Sequence, residues 1–307
     1  MKIKFLRALL AGLAVAIGAG IAQAGPIIIA GTDADDHGGV SGGVNLTGWK
    51  FMQQAFENLG GAVSNSNKTV VCLGCNTGAA VNAFNSAFGL SSLAISSGWT
   101  SIALTSVSDI TNFFNGTGTS NLSNAGIIYM PTVASNVGGG ITNLQLAPVN
   151  TNGTAINSFV AAGGGLFTQE QANSTIGYGW LSSLLPGLIV QGDNGGPFFN
   201  SSSLTLTGAG NLAFPTLTNT DVTNATPWHA WFSGNLGGLG TLVTGPISGA
   251  AGSTFPGAVV IGGGAGTVIV CGGPNGPPCP TPEPASLPLL ALGGAAFLLS
   301  QMRKRNS

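Results

Sequence analysis

Three carboxylates and an imidazole are concentrated in one short segment near the start of the chain. The segment reads Asp33-Ala34-Asp35-Asp36-His37 and follows the apolar run Ile27-Ile28-Ile29. Carboxylates this close repel one another, and a divalent cation relieves that repulsion; oxygen ligands favour Ca²⁺ or Mg²⁺. The alternative is a turn in which the Asp side chains bond to the nearby backbone. The sequence thus predicts either a polar turn or a Ca²⁺ or Mg²⁺ site, and no other cofactor, with the candidate ligands Asp33, Asp35, Asp36 and His37.

Two further side chains are candidates for a shared site with this segment. Glu170 follows the apolar run Leu166-Phe167-Thr168, and His229 is one of only two histidines in the chain. Carboxylates and imidazoles serve as ligands and as general acids or bases. A secreted metal-dependent binder or hydrolase requires both to lie beside the Asp33–His37 turn. Because no complete catalytic set is recognisable, the body is predicted to be non-catalytic, with this binder or hydrolase as the alternative.

Four cysteines form two close pairs, Cys72 with Cys75 and Cys271 with Cys279. In an oxidising compartment four cysteines form two disulfides more readily than a zinc site. Of the three connectivities we predict the local one, which joins the members of each pair. The spacing Cys72-Leu73-Gly74-Cys75 also matches a thioredoxin-like redox motif, which is the alternative interpretation.

The elements that must position these residues alternate between strands and helices over residues 25–271. This alternation predicts an α/β domain with a doubly wound, mostly parallel sheet. One helix is predicted to be capped by Thr47 and stopped by Gly60-Gly61, and others present apolar faces around 80–88 and over 155–162. Strands are predicted at 26–31, 69–73, 101–104, 127–130 and 166–168, with a final hairpin of 258–261 and 267–270.

Part of this body resembles a known family. The run Ser158-Phe159-Val160-Ala161-Ala162-Gly163-Gly164-Gly165-Leu166-Phe167, the run Trp228-His229-Ala230-Trp231-Phe232 and the closing hairpin look like a class I glutamine-amidotransferase-like, flavodoxin-related domain. In amidotransferases a nucleophilic Cys occupies the turn after the matching strand. Here that turn reads Thr168-Gln169-Glu170-Gln171. The resemblance therefore implies the fold and not the amidotransferase chemistry.

The composition of the body excludes some partners. Charged residues are 6% of the chain, against roughly 25% in an average soluble domain. Between Gly25 and Pro282 there are two cations and eight anions, a net charge of −6. Such a body has too few cations to neutralise phosphates, so nucleic acid is excluded as a partner. Hydrophobic residues make up 44% of the chain, which is enough to form a core.

The first 24 residues have the pattern of a secretory signal peptide. A positively charged start precedes an uncharged apolar stretch, and small residues stand at Ala22 and Ala24. These are the two positions that signal peptidase inspects. Cleavage is therefore predicted before Gly25, and residues 1–24 are excluded from the fold.

The C-terminus has a second pattern in three parts. After the Pro/Gly-rich linker 272–284, which ends in Pro282-Glu283-Pro284, comes an uncharged apolar run over 285–302 and then Arg303-Lys304-Arg305. A helix over that run would measure about 27 Å, close to the ~30 Å of a bilayer core. The basic cluster predicts a cytoplasmic tail at 303–307. The sequence therefore predicts a transmembrane helix over 285–302.

These three parts resemble the PEP-CTERM sorting signal of Gram-negative bacteria. The resemblance implies that the protein is exported and held in the inner membrane by its C-terminal helix. An exosortase then cuts near Pro282-Glu283-Pro284 and releases the body to the cell surface or extracellular matrix, where polysaccharide is the implied partner. A permanent tail anchor is the alternative.

Overall fold

The computed structural model describes residues 25–192, 203–223, 228–248 and 254–263. All of these residues belong to one unit of the chain. The predicted signal peptide, strand 267–270, the Cys271–Cys279 pair, the linker, the C-terminal helix and the basic tail lie outside the described residues. Within the described ranges, no helix is both long and apolar enough to cross a membrane.

The described chain alternates strands and helices up to its eighth strand and then becomes richer in strands. The strands are β1 (Ile27–Ala30), β2 (Gly38–Ser41), β3 (Val44–Leu46), β4 (Thr69–Leu73), β5 (Thr100–Leu104), β6 (Ile127–Met130), β7 (Gly165–Thr168), β8 (Leu188–Gly192), β9 (Thr205–Leu206), β10 (Ala230–Gly234), β11 (Gly240–Ser248) and β12 (Thr254–Gly263). The helices are α1 (Thr47–Ala62), α2 (Ala79–Gly89), α3 (Ser92–Ser96), α4 (Val107–Asn115), α5 (Asn143–Thr151), α6 (Gly153–Ala161), α7 (Gly208–Ala213) and α8 (Asn219–Thr223), with a 3₁₀ helix at Gly179–Ser183.

Five parallel strands form the central part of a ten-stranded sheet. Their order across the sheet is β5-β4-β6-β7-β1, and every neighbouring pair among them is parallel. Four of them, β1, β4, β6 and β7, are short and largely buried runs, as expected where helices cover both faces of a parallel sheet. The predicted α/β class is therefore confirmed, and the predicted strands at 69–73 and 127–130 have the observed bounds.

Two hydrophobic cores lie on opposite faces of this sheet. Ile28 and Phe167 belong to the first core, which α1, α2 and α3 cover. Their chain neighbours Ile29 and Leu166 belong to the second, which α4, α5 and α6 cover. Alternate side chains of a strand point to opposite faces, so one strand supplies both cores and its end is held in place from both sides.

Antiparallel strands extend the sheet beyond β1. β12 pairs with β1, followed by β10 and β8, while β11 pairs with β12 and with β9. The predicted strand 258–261 lies within β12, but the hairpin partner of β12 is the upstream strand β11 and not a later segment. The other predicted arm, 267–270, lies outside the described residues.

Both predicted ends of the first helix are wrong. The N-cap of α1 is Leu46, without a side-chain hydrogen bond, and Thr47 has a φ of 54° while its hydroxyl donates to His37 O at 3.1 Å. At the other end the helix continues through Gly60 and Gly61 to Ala62. A helical glycine costs about 1 kcal/mol relative to alanine, which the buried apolar face of α1 offsets.

Candidate functional site at the carboxyl edge of the parallel strands

Polar segments from four parts of the chain meet at one edge of the sheet. The Asp33–His37 turn follows β1, a loop beginning at Pro131 follows β6, and Gln169-Glu170 follows β7. His229 stands just before β10, and its N–H donates to Gly31 O at 2.9 Å. Carboxyl ends of parallel strands share an edge, where ligands of open α/β sheets bind.

The carboxylate of Asp33 is the centre of this cluster. Its Oδ2 lies 3.2 Å from His229 Nε2 and 3.3 Å from His37 Nε2, and it accepts a hydrogen bond from Asn136 Nδ2 at 3.1 Å. Asp33 is only 2% exposed. Its Oδ1 is buried and has no hydrogen-bond partner in the part of the chain that the structure describes. Three nitrogen atoms thus lie within 3.3 Å of Oδ2, whereas Oδ1 has no partner among the described residues.

The two imidazoles keep the Asp33 carboxylate ionised. Burial alone would raise the pKa of Asp33, but the hydrogen bonds from His229 and His37 outweigh burial and hold the pKa below its usual value. The hydrogen bond to Asp33 in turn raises the pKa of His37. Asp33 is therefore a buried carboxylate that carries negative charge at neutral pH.

Asp35 has a different environment from Asp33 although it is two residues away. Its Oδ2 accepts from the Thr132 N–H at 2.9 Å and its Oδ1 accepts from the Thr132 hydroxyl at 2.6 Å. Burial raises the pKa of Asp35 to about 7, against a partial offset from these hydrogen bonds. Both carboxylate oxygens of Asp35 therefore bond the turn to the loop after β6.

Glu170 lies beside the turn, as the shared-site hypothesis requires. Its N–H donates to Thr32 O at 3.0 Å, and its side-chain oxygens accept from the Asn173 N–H and Nδ2 at 2.9 and 3.3 Å. Burial raises the pKa of Glu170 to about 7, while His229 lowers it and Asp33 raises it more weakly. The structure therefore brings Glu170, His229 and Asp33 into one electrostatic neighbourhood.

The three aspartates of the turn do not act as one group. Asp36 is exposed, Asp35 is bonded to Thr132, and Asp33 is bonded to the imidazoles. Within the described ranges, no group of three or more His, Cys, Asp or Glu side chains is placed so that it could hold a metal ion. A Ca²⁺ or Mg²⁺ site at this turn stays a prediction.

Two residues of the cluster were missed by the sequence analysis, namely Thr132 and Asn136. Both follow β6, a strand that the sequence did predict. The signal that could have found them is their position, because residues after neighbouring parallel strands converge at one edge. Thr and Asn are frequent in this chain, so their residue type alone does not identify Thr132 and Asn136 as site residues.

Next to β6, the Cys72–Cys75 disulfide closes the end of β4. The two Cα atoms are 5.8 Å apart, and both residues are fully buried. A thiol that reacts in exchange must be accessible, so this burial favours a structural bond over the thioredoxin-like alternative. The predicted Cys271–Cys279 bond lies outside the described residues.

The cluster can bind a proton or an electrophilic ligand at the Asp33 carboxylate and imidazoles. At the solvent side of the cluster, the His37 side chain is 37% exposed and Asn136 is partly exposed. No protein-family model, curated protein or solved structure matches the chain. Function is therefore inferred from the cluster and from the sequence signals.

Proposed function

We propose that this chain is an exported protein that an exosortase sorts to the cell surface or the extracellular polysaccharide matrix, where its body has a non-catalytic role. The observation that carries the proposal is the C-terminal pattern of Pro282-Glu283-Pro284, an apolar run and Arg303-Lys304-Arg305. Gly25, the predicted first residue of the mature chain, is buried and its N donates to Val160 O at 2.6 Å, so the fold of the body extends to that residue.

We further interpret the body as doubly wound and flavodoxin/amidotransferase-like. In support, helices cover both faces of the sheet. The parallel strands follow the order β5-β4-β6-β7-β1; if β1 is counted last, this is the 2-1-3-4-5 order of flavodoxin. In this interpretation β1 takes the place of the fifth strand, so the chain is a circular permutation of that order.

Mass spectrometry of the protein recovered outside the cell tests the sorting proposal. We expect a mature chain that begins at Gly25 and ends near Pro282-Glu283-Pro284, because both signals are cut during export. Replacing Glu283 with Ala should leave the uncut chain in the membrane fraction, whereas the matched replacement Glu57→Ala, on α1, should not. An extracellular chain that retains Arg303-Lys304-Arg305 would contradict the proposal, and a full-length wild-type chain confined to the membrane would indicate a permanent anchor.

A secreted metal-dependent binder or hydrolase is the second candidate function. The observation that favours it is the meeting of Glu170 and His229 with the Asp33–His37 turn. Asp33 and Glu170 also differ in charge near neutral pH, since the pKa of Asp33 is held low and that of Glu170 is raised to about 7. Pairs of acids with such separated pKa values serve as base and acid in hydrolysis.

A further inference from the structure

We propose that Asp33, His37 and His229 bind one borderline divalent ion of the Zn²⁺ or Co²⁺ type, with the fourth ligand position left to water. This inference specifies the metal and the ligands of the second candidate function and does not depend on the sorting signal. It replaces the set of three aspartates with two imidazoles and one carboxylate. Two histidines and one carboxylate with an open position form a known type of zinc coordination.

The distances around Asp33 fit this coordination. In a tetrahedral zinc site with bonds of roughly 2.0–2.1 Å, neighbouring ligand atoms lie about 3.3 Å apart. Asp33 Oδ2 lies 3.2 Å from His229 Nε2 and 3.3 Å from His37 Nε2. Two of the three ligand-to-ligand distances are therefore already those of a zinc site, and the ion would replace two hydrogen bonds.

Completing the site requires one side chain to move, and His37 is able to do so. Its side chain is 37% exposed, whereas those of His229 and Asp33 are 8% and 3% exposed. Because His37 is the most exposed of the three, we expect its side chain to rotate when the ion binds. The buried pair supplies a fixed half of the site and His37 closes it from the solvent side.

A further observation points to a ligand at this carboxylate. Asp33 Oδ1 is buried without a hydrogen-bond partner among the described residues, and a buried ionised oxygen without a partner is costly. The two oxygens of a carboxylate share one charge, so a divalent ion bound at Oδ2 would also offset the cost of the unpartnered Oδ1. Asn136 Nδ2, which donates to Oδ2, would then orient the ligand, as outer partners of metal-bound carboxylates do.

The donor set selects the type of ion. Imidazole nitrogen suits Zn²⁺, Co²⁺, Ni²⁺ and Cu²⁺, whereas Ca²⁺ and Mg²⁺ require several oxygen ligands. Asp35 cannot provide those oxygens without giving up both bonds to Thr132. We therefore expect Zn²⁺ and Co²⁺ to bind much more tightly than Ca²⁺ or Mg²⁺.

Calorimetric titration of the full chain with Zn²⁺, together with Co²⁺ absorption, tests the proposal. The protein is prepared without a polyhistidine tag, so that His37 and His229 are its only imidazoles. We expect one ion per chain and the visible bands of tetrahedral Co²⁺. Intense near-ultraviolet sulfur-to-cobalt bands that disappear in Cys271→Ser with Cys279→Ser would assign the ion to cysteines and overturn the proposal.

Substitutions separate the proposed ligands from their neighbours. His37→Ala should weaken Zn²⁺ binding at least about 100-fold, since losing even an outer partner of a ligand costs 10–100-fold. Asp36→Asn, in the same turn and exposed, is the matched control and should leave the affinity unchanged. His229→Gln and Asp33→Asn should also weaken binding, and if either fails to fold, the half-exposed His37 still provides the test.

Two results would overturn the metal proposal while leaving the sorting proposal intact. One is the absence of Zn²⁺ and Co²⁺ binding up to millimolar concentration in the folded protein. The other is binding of Ca²⁺ that Asp36→Asn abolishes and His37→Ala does not, which would establish the carboxylate site instead. Retention of the Co²⁺ spectrum in His37→Ala would likewise exclude His37 as a ligand.

Discussion

At the scale of single residues, Asp33 and Glu170 are both buried, yet the pKa of Asp33 is lowered and that of Glu170 is raised. Burial raises the pKa of each carboxyl, but only Asp33 has two imidazoles on one oxygen. Glu170 has the backbone and amide of Asn173 instead. Neutral donors stabilise a carboxylate less than charged ones, so the Asp33 pKa falls and the Glu170 pKa rises to about 7.

The raised pKa of Glu170 predicts a pH-dependent stability. Between its ordinary pKa of 4.5 and about 7, the folded chain keeps a proton that the unfolded chain has released. The contribution of Glu170 to the free energy of unfolding is therefore fully present below pH 4.5, and it is lost as the pH rises towards 7. At about 1.4 kcal/mol per pKa unit, the shift from 4.5 to about 7 corresponds to a loss of about 3–4 kcal/mol, and Glu170→Gln should remove it.

Urea denaturation of the wild type and Glu170→Gln at pH 4 and pH 8 measures this effect. The change in the free energy of unfolding between pH 4 and pH 8 reports the titration of Glu170. The cost of altering its hydrogen bonds to Asn173 is the same at both pH values and therefore cancels. Glu57→Gln, which removes one carboxylate from the partly exposed α1 surface, is the matched control. An equal pH dependence in wild type and Glu170→Gln would show that folding does not raise the pKa of Glu170.

At the scale of elements, α1 is longer than its sequence predicts. Gly60-Gly61 indicated a helix end, yet α1 runs to Ala62. The helix buries Phe51, Met52, Ala55, Phe56 and Leu59 along one face. Tertiary packing of such a face contributes more than local propensity does, so the packing carries the helix past both glycines.

The two glycines make a matched pair for testing where α1 ends. A Cβ added to Gly61 has no atom within 4 Å, whereas one added to Gly60 would lie 2.5 Å from Leu93 Cδ2. If both positions are helical, Gly61→Ala should stabilise the protein by about 0.5–1 kcal/mol. Gly60→Ala should lose this gain because the buried Leu93 must shift.

Chemical denaturation of Gly61→Ala and Gly60→Ala against the wild type measures both changes. The order of stability should be Gly61→Ala, then wild type, with Gly60→Ala at or below wild type. Destabilisation by Gly61→Ala would mean that the helix ends before this residue, as the sequence pattern alone indicates.

At the scale of the whole molecule, β1 joins the two halves of the sheet. It pairs in parallel with β7 on one side and antiparallel with β12 on the other, and Ile28 and Ile29 are fully buried. The hairpin of β2 and β3 immediately after the acidic turn is different. Its strands pair only with each other among the described strands, and Val40 and Val44 are exposed.

This contrast predicts a wide spread of amide hydrogen exchange. Amides of β1 should open only with global unfolding, whereas those of the β2–β3 hairpin should exchange at least ~100-fold faster because the hairpin buries little apolar surface. Exchange measured by mass spectrometry on peptides covering 26–31 and 38–46 tests this. Equally slow exchange in both peptides would show that another surface covers the hairpin.

The sequence by itself determined the local elements and the chemistry available to the site. Short apolar runs such as Ile27–Ala30 and Ile127–Met130 predict strands, because a strand of a parallel sheet is buried on both faces whatever its partners are. The predicted processing signals at the two ends are likewise inferred from local patterns. The residue types of Asp33, His37, Glu170 and His229 were sufficient to nominate them as a shared site.

Only the tertiary structure decided which of these residues meet. Asp33 and His229 are distant in sequence, and their contact depends on β12 pairing with β1 and so bringing β10 alongside. The opposite roles of Asp33 and Asp35 also come from the fold, because Thr132, in the loop after β6 and two strands away from β1, donates two hydrogen bonds to Asp35. Pairing between distant strands depends on which faces are buried together, and hydrogen bonds across an edge depend on that pairing; neither is encoded in local sequence periodicity.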